Sequence, residues 1–378
     1  MLAALLSSGG TVAAVRLFPE TTSTPSSTSS TQLGRGTDTA PVVQADASAP
    51  NWTATAAAVT PSVVSITATS GDGGGQGSGV IIDTKGHVLT NNHVVTGADK
   101  LTVTLADGRT FDAEVRGTDP STDLAVITIT RAPSDLTPVA FGDSEGLKVG
   151  DPVMAVGNPL GLAGTVTTGI VSALNRPVTT AGENDSQDPF QQSQSEPVVT
   201  NAIQTSAAIN PGNSGGALVN ATGQLVGINS SIASLGSSSS GQSGNIGIGF
   251  AIPVNEARSI ATQLIDSGAA THAYLGVTPK DGSASNGSGS MAGAEVTSVG
   301  DGTPAAAAGL KVGDVITAVD GERVESALSL VGHIRERSAG ATVTLTVLRD
   351  GRSTEVEATL AAKPSTDTSG DGNGNGNG

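Results

Sequence analysis

The chain has 378 residues, 51 of them glycine, and a formal net charge of −16, while only 14% of its residues are charged and 2% are aromatic. This acidic balance argues against non-specific nucleic-acid binding, because contacts with phosphates require clustered Lys and Arg. The absence of cysteine from the sequence excludes a disulfide framework and any thiolate metal site. At typical domain sizes of about 100–200 residues, the length suffices for two domains and a tail.

The first fifteen residues, MLAALLSSGGTVAAV, are apolar or small, and Arg16 ends the run. The run is short for a bilayer crossing, which needs about 20 apolar residues, and it lacks the basic start of a signal peptide. We interpret residues 1–18 either as the outer half of a truncated membrane anchor or as a disordered apolar terminus. The residues that follow are rich in Ser, Thr and Pro and predict a disordered linker over 19–54.

From Val59 onward, short runs of Val, Ile and Thr alternate with Gly, Asn and Asp, a pattern that favours a mostly β protein. A hairpin that turns at Asp107-Gly108 is predicted over 101–115. Further strands are predicted at 62–67, 80–82, 87–90 and 124–129. The last of these, LAVITI, is continuously apolar and should be buried.

Glycine-rich or polar composition predicts loops at 71–79, 178–197 and 234–244. The segment NEARSIATQLIDSG (255–268) predicts a helix that Asn255 would cap and Gly268 would end. These loops and this helix complete the first module.

A second module begins near Ala270. It contains a helical stretch over 326–338 and a hairpin over 342–360. Residues 363–378 predict a disordered Gly/Asn tail.

The stretch NPGNSGGAL (210–218) places a single serine, Ser214, in a loop that Pro and Gly keep out of regular structure. Gly212 and Gly215 allow the chain to turn sharply where a side chain would clash. The N–H groups of Gly212 and Ser214 are then free to converge on one point, as the oxyanion hole of a nucleophilic serine requires. Taken alone, the loop is equally compatible with a Gly/Asn turn that contains an incidental serine.

A nucleophilic serine also needs a base and a group that orients the base. The sequence offers four histidines: His87, His93, His272 and His333. His93 lies in LTNNHVV, where a polar strand end meets a short apolar turn. Asp123 precedes the buried strand LAVITI and is either the orienting acid or a turn former. Together His93, Asp123 and Ser214 form a consistent candidate triad.

The chain resembles the HtrA/Deg family of trypsin-like serine proteases that carry a PDZ domain, and the resemblance covers roughly residues 55–362. The matching motifs, in order, are SGVIID (78–83), LTNNHVV (89–95), TDLAVITI (122–129), VGNPLGL (156–162), TVTTGIVSALNR (165–176), AAINPGNSGGAL (207–218) and GIGFAIPV (247–254). The resemblance implies a mostly β fold: a trypsin-like double six-stranded β-barrel over 55–268, followed by an α+β PDZ domain over 270–362.

The resemblance also implies roles for individual residues. His93 would be the general base, Asp123 its orienting acid and Ser214 the nucleophile, with Gly212 and Ser214 forming the oxyanion hole. One departure is visible, because Ser206 stands where many family members have Asp in a TDAAIN segment.

In trypsin-like enzymes the floor of the P1 pocket lies about six residues before the nucleophile. In this sequence that floor residue is Ala208, and Ile209 follows it. Phe250 and Ala251 should line the opposite wall. With no carboxylate at its base, the pocket would leave a buried Lys or Arg unpaired, which is costly. The expected cleavage is therefore after small or medium apolar residues, which are normally buried in folded proteins.

The segment Tyr274-Leu275-Gly276-Val277 occupies the position of the PDZ carboxylate-binding loop. Its backbone N–H groups would capture a peptide C-terminus, and the peptide would add as a strand to the neighbouring sheet edge. By itself the segment is also compatible with the start of an ordinary strand.

The sequence thus predicts an extracytoplasmic serine endopeptidase of the cell envelope that cleaves unfolded or misfolded proteins and binds peptide C-termini. The alternative is a PDZ-bearing holdase that uses the protease domain mainly as a scaffold. Membrane anchoring through the N-terminus and assembly into a homotrimer are expected. Residues 51–62, with Trp52, are the candidate trimer contact, although Trp52 could instead pack on its own barrel. No metal site, cofactor or nucleic-acid partner is predicted.

Overall fold

The computed structural model describes residues 33–34, 41–46, 49–71, 73–158, 164–180, 198–210, 212–230, 247–285 and 289–363. The apolar segment predicted over 1–18, the loop predicted over 234–244 and the tail from 364 onward lie outside these residues. So do residues 181–197 of the other predicted polar loop.

Six strands close into a first barrel in the order β1–β2–β3–β6–β5–β4. Their bounds are β1 (Val63–Ser70), β2 (Gly73–Ile81), β3 (His87–Asn91), β4 (Lys100–Thr104), β5 (Thr110–Asp119) and β6 (Leu124–Ile129). The predicted hairpin is confirmed as the antiparallel pair β4–β5, with Gly108 at φ +88° in its turn. The predicted burial of β6 is also confirmed, because five of its six residues are buried.

The loop predicted at 71–79 is wrong, because this glycine-rich segment forms most of strand β2. It pairs with β1 without interruption, from Val63 opposite Val80 to Ser70 opposite Gly73. A Cβ atom on Gly79 would lie 2.5 Å from Val88 Cγ1 and 2.8 Å from Ile66 Cδ1. Glycine here therefore allows close packing inside the barrel and does not signal flexibility.

A second set of strands forms a sheet in the order β11–β8–β9–β10–β13–β12–β7, which the pairing of β11 with β12 closes into a six-stranded barrel. β7 adds to β12 as a short parallel strand outside this barrel. The bounds are β7 (Ala140–Phe141), β8 (Pro152–Gly157), β9 (Thr165–Thr180), β10 (Val198–Thr205), β11 (Ala217–Asn220), β12 (Gln224–Ser230) and β13 (Gly249–Pro253). The predicted double six-stranded barrel is confirmed.

The barrels carry three helices: α1 (Trp52–Val59), α2 (Asn92–Val95) and α3 (Val254–Ser267). α3 ends at Gly268 as predicted, with Gly268 at φ +79°. Asn255 does not cap α3, because it lies inside the helix and its side chain forms hydrogen bonds with a neighbouring loop. Its Oδ1 accepts from the N–H of Ser144 and its Nδ2 donates to Asp143.

The linker predicted over 19–54 overlaps ordered structure at its C-terminal end. Val42 N–H donates to the carbonyl of Thr222 at 3.1 Å, and Gln44 Nε2 donates to the carbonyl of Ala221 at 2.6 Å. The side chain of Asn51 accepts from the N–H of Ala54 and caps α1. Trp52 is half-buried and packs against the core between the chain's own barrels.

An α+β domain follows, built on a sheet of order β15–β16–β17–β19–β20, with β18 paired to β17 and a separate pair β14–β21. The predicted helix over 326–338 and hairpin over 342–360 are confirmed as α5 and β19–β20. The bounds are β14 (Ala273–Tyr274), β15 (Val277–Ser285), β16 (Ser290–Val299), α4 (Pro304–Ala307), β17 (Val315–Val319), β18 (Glu322–Arg323), α5 (Ala327–Arg335), β19 (Thr342–Arg349), β20 (Arg352–Thr359) and β21 (Ala361–Ala362).

Helix α5 of this domain lies against strands β9 and β10 of the second barrel. The approach is close, because a Cβ atom on Gly332 would collide with the side chain of Asn201. Glu256 of α3 is buried at this junction, and burial, reinforced by the charge of Glu336, raises its pKa to about 8. Among the described residues, no helix has both the length and the hydrophobicity that a bilayer crossing requires.

Candidate active site

His93 and Asp123 meet at one end of the first barrel. Nδ1 of His93 lies 2.9 Å from each carboxylate oxygen of Asp123, and the His93 N–H donates to Oδ1 of Asp123 at 3.1 Å. The register of β3 and β6 explains the meeting, because Asn91 at the end of β3 pairs with Leu124 at the start of β6. With Nδ1 engaged by the carboxylate, Nε2 is the ring nitrogen that can act as a base.

Asp123 has a left-handed backbone, with φ +57°, which is rare for a residue other than glycine. Its carbonyl accepts two hydrogen bonds at 3.0 Å, one from the N–H of Asn92 and one from Nδ2 of Asn91. Oδ2 of Asp123 also accepts from Oγ of Ser230, at 3.4 Å, and Ser230 belongs to the second barrel. These donors hold a strained residue in one orientation, as is common at functional sites.

The loop that contains Ser214 is held against the first barrel. The N–H of Ser78 donates to the carbonyl of Ser214 at 2.8 Å, and Oγ of Ser78 donates to the carbonyl of Gly212 at 2.6 Å. Gly212 and Gly215 both have positive φ, +97° and +80°. A Cβ atom on Gly215 would collide with the Ser78 carbonyl and with Oγ1 of Thr90, so only glycine fits there.

Ser78 was not predicted as a site residue, although it begins the motif SGVIID. Its hydroxyl accepts from the N–H of Asn158 at 2.8 Å while it donates to Gly212, so it joins three segments of the chain. Its partners are backbone groups 80 and 134 residues away. No local sequence signal marks a role of this kind, and the same is true of Ser230 in its ordinary strand.

The structure separates the residues predicted for the P1 pocket. Ala208 is half-buried and its carbonyl accepts from Oγ1 of Thr167 at 2.8 Å, while Ile209 and Ala251 are buried in one apolar cluster. Phe250 packs in a different cluster, with Ala202. Successive residues of a strand point to opposite faces of the sheet, so the side chains of Phe250 and Ala251 in β13 lie on opposite faces. The pocket wall assigned to them stays a prediction.

The segment from Tyr274 to Val277 connects β14 to β15, with Gly276 at φ +88°. Leu275 is buried, and its carbonyl accepts a hydrogen bond of 2.8 Å from the N–H of Ala305, a residue of α4. A Cβ atom on Gly276 would collide with the side chain of Thr303, which caps α4. The backbone of this loop is therefore fixed by contacts with the start of α4.

The remaining histidines pair with other carboxylates. His87 Nδ1 lies 2.5 Å from Asp83 Oδ2, and His272 Nε2 lies 3.0 Å from Asp119. His333 is fully buried between Glu322 and Glu336. Burial disfavours its charged form, but the two carboxylates outweigh burial and raise the pKa of His333 to about 9.

The fold also assembles one group of metal-ligating side chains within the described residues, which the sequence did not predict. Ligand atoms of Glu322, His333 and Glu336 lie within 4.8 Å of one another. Arg337 already donates to Oε1 of Glu336 at 2.7 Å. The group is therefore held together as an ion-pair network.

Comparison with known proteins agrees with this architecture. Residues 77–228 match the trypsin-like peptidase domain, and residues 273–360 match the PDZ domain. The structure described as "HtrA-type protease AlgW with tripeptide" is 35% identical, with a TM-score of 0.60, over 84% of this chain and 99% of that one. The chain belongs to the HtrA family of serine proteases.

Two curated members of the HtrA family are similar over most of the present chain. Serine protease PepD of Mycobacterium tuberculosis is 48% identical over 319 residues, which are 81% of this chain and 65% of PepD. The periplasmic pH-dependent serine endoprotease DegQ of Escherichia coli is 44% identical over 300 residues, which are 78% of this chain and 61% of DegQ. The chain thus spans less than two thirds of the length of these relatives.

We predict that Ser78→Ala destabilises the protein by about 1–3 kcal/mol, because the half-buried carbonyl of Gly212 and the buried N–H of Asn158 both lose their partner. Ser62→Ala is the matched control, since Ser62 Oγ is buried without a hydrogen-bond partner in the described structure. Urea unfolding of both variants measures the difference. Equal stability losses in the two variants would contradict the assigned role of Ser78.

Proposed function

We propose that the chain is a serine endopeptidase in which Ser214 is the nucleophile, His93 the general base and Asp123 the residue that orients His93. The observation that carries this proposal is the contact of His93 Nδ1 with both oxygens of Asp123 in the barrel against which Ser78 holds the Ser214 loop. A proton fixed at Nδ1 leaves the lone pair of Nε2 to accept the proton of the attacking serine hydroxyl.

The proposed oxyanion hole consists of the backbone N–H groups of Gly212 and Ser214. The positive φ of Gly212 and the hydrogen bond from Ser78 to its carbonyl support a fixed loop conformation. Preorganised donors of this kind stabilise the charge that develops on the carbonyl oxygen, and each is typically worth about 3–4 kcal/mol in the transition state.

Labelling with a fluorophosphonate probe tests the proposal. We expect the probe to modify the wild-type chain at Ser214, and we expect casein hydrolysis to vanish together with labelling in Ser214→Ala. Because the oxyanion loops of related enzymes respond to ligands, the assay includes a PDZ-binding peptide. Failure to label with and without peptide, combined with suppression of substrate aggregation, would instead support the holdase alternative.

We infer that the P1 pocket accepts small or medium apolar residues such as Val, Ala or Leu. Support comes from the apolar segment Ala207 to Ile209, which offers no carboxylate to pair with a substrate Lys or Arg. Substrates with such P1 residues are exposed mainly in unfolded or misfolded polypeptides.

Peptides that differ only at P1 measure this specificity. The wild type should hydrolyse Val and Leu peptides faster than Lys and Arg peptides, whereas Ala208→Asp should gain activity on Lys and Arg, because the new carboxylate pairs the buried charge. Ala208→Asn, which has a similar shape and no charge, is the matched control and should not gain it. Faster cleavage after Lys or Arg by the wild type would overturn the assignment.

The PDZ domain is proposed to bind peptide C-termini through the N–H groups of the loop Tyr274 to Val277. The next strand, β15, lies at one end of the described sheet and offers its edge to an added peptide strand. A peptide with a free C-terminal carboxylate should therefore bind, and the same peptide ending in a carboxamide should not. Equal affinity in isothermal titration calorimetry would rule this out.

We infer an extracytoplasmic location in the cell envelope, with anchoring through the N-terminus, and a homotrimer. DegQ is described as periplasmic, and this supports the location. Trp52 packs against the core of its own chain. The proposed trimer contact over residues 51–62 therefore uses the opposite face of α1. Sedimentation velocity decides the oligomeric state, and a monomer at all concentrations would exclude the trimer.

A further inference from the structure

A histidine in the segment that joins the two domains contacts the turn that presents Asp123. His272 lies between α3 and β14, and its Nε2 is 3.0 Å from both carboxylate oxygens of Asp119, at the end of β5. The side chains are 11% and 6% exposed, so water competes little for this contact. Nε2 of His272 also lies 2.8 Å from Oγ of Ser121.

Asp119 organises the turn between β5 and β6. Its carboxylate accepts from the N–H of Ser121 at 3.2 Å, from Oγ of Ser121 at 2.6 Å and from Oγ1 of Thr122. Asp119 is also the last residue of β5 to pair with β6, opposite Leu124. The turn between these two positions ends at Asp123, so the conformation set by Asp119 determines where Asp123 points.

The end of α3 also contacts this part of β5. Nε of Arg116 donates to the carbonyl of Ile265 at 2.8 Å, and a Cβ atom on Gly117 would lie 2.7 Å from the carbonyl oxygen of Gly268. Arg116 and Gly117 of β5 therefore lie against the C-terminal end of α3. His272 completes this contact at the point nearest to the turn.

The chemistry of the contact assigns the donor. Ionised carboxylate oxygens only accept hydrogen bonds, so Nε2 of His272 donates to Asp119. Nδ1 of His272 is buried and has no hydrogen-bond partner among the described residues. The histidine is therefore held through one nitrogen only, and an amide N–H at the same position would reproduce its contact.

We propose that His272 is a positioning residue for the hydrolytic reaction, acting through Asp119 and the β5–β6 turn on the orientation of Asp123 towards His93. This inference rests on the proposed role of Asp123. Removal of His272 leaves the segments proposed for the P1 pocket untouched, since these belong to the second barrel, but loosens the carboxylate that orients the base. The turnover number kcat should therefore fall while KM changes little.

Peptide hydrolysis by the full chain tests the inference. His272→Ala should lower kcat about tenfold with KM within about twofold of the wild type, because small errors in the placement of reacting groups are costly. His272→Gln retains an N–H donor at the former Nε2 position and should restore kcat to within about threefold. Asp119→Ala, which removes both acceptor oxygens, should reproduce the loss in a chain that retains His272.

His87→Ala is the matched control, because His87 also pairs with a buried aspartate, Asp83, but at the other end of strand β3 from Asn91 and His93. It should lose thermal stability and keep its kcat. The low-field proton resonance of the His93–Asp123 hydrogen bond gives a second readout, which should shift in His272→Ala and remain in place in His87→Ala.

The outcomes separate the inference from the function on which it rests. A wild-type chain that neither hydrolyses peptides nor labels at Ser214 contradicts the proposed function itself. An active wild type with unchanged kcat and an unchanged His93 resonance in His272→Ala overturns only the positioning role. Should His272→Ala fail to fold, wild-type kcat in Asp119→Ala overturns it equally.

Discussion

The contact between His93 Nδ1 and the Asp123 carboxylate is the interaction on which the site depends. It exists because the pairing of β3 with β6 brings two strand ends together and because Asp123 adopts a left-handed backbone. That conformation is unfavourable for a side chain, so it persists only where neighbours hold it. Asn91 and Asn92 supply the hydrogen bonds to its carbonyl, and Ser230 reaches its carboxylate from the second barrel.

Hydrogen bonds to backbone groups join the two barrels in addition to the apolar core between them. The hydroxyl of Ser78 donates to a carbonyl of the Ser214 loop and accepts from an N–H just after β8. A buried unpaired carbonyl or N–H costs free energy comparable to a lost hydrogen bond, so the loop has little freedom to leave the first barrel. Position 215 of this loop must be glycine, because any side chain there would collide with Ser78 and Thr90. The serine loop is thus held by the domain that carries His93.

Periodic patterns in the sequence were sufficient to predict a mostly β protein with α3 and α5. The two barrels were implied by the resemblance to the HtrA/Deg family, which also supported the pairing of His93 with Asp123. The sequence patterns failed where tertiary packing sets the conformation. The composition around Gly79 is typical of a loop, but the glycine is required there because Val88 packs against it. Asn255 has the residue type of an N-cap, but its side chain accepts a hydrogen bond from Ser144 instead. The contacts of Ser78 and His272 could not be predicted for a related reason, since their partners are distant in sequence and those of Ser78 are backbone groups.

The kcat/KM of Asp123→Asn on an apolar-P1 peptide, compared with the wild type, is the decisive measurement for the contact between His93 and Asp123. An amide at this position favours the wrong tautomer of His93, so kcat/KM should fall about 10⁴-fold without unfolding. A variant that folds and retains kcat/KM within about tenfold of the wild type would show that Asp123 does not orient the base.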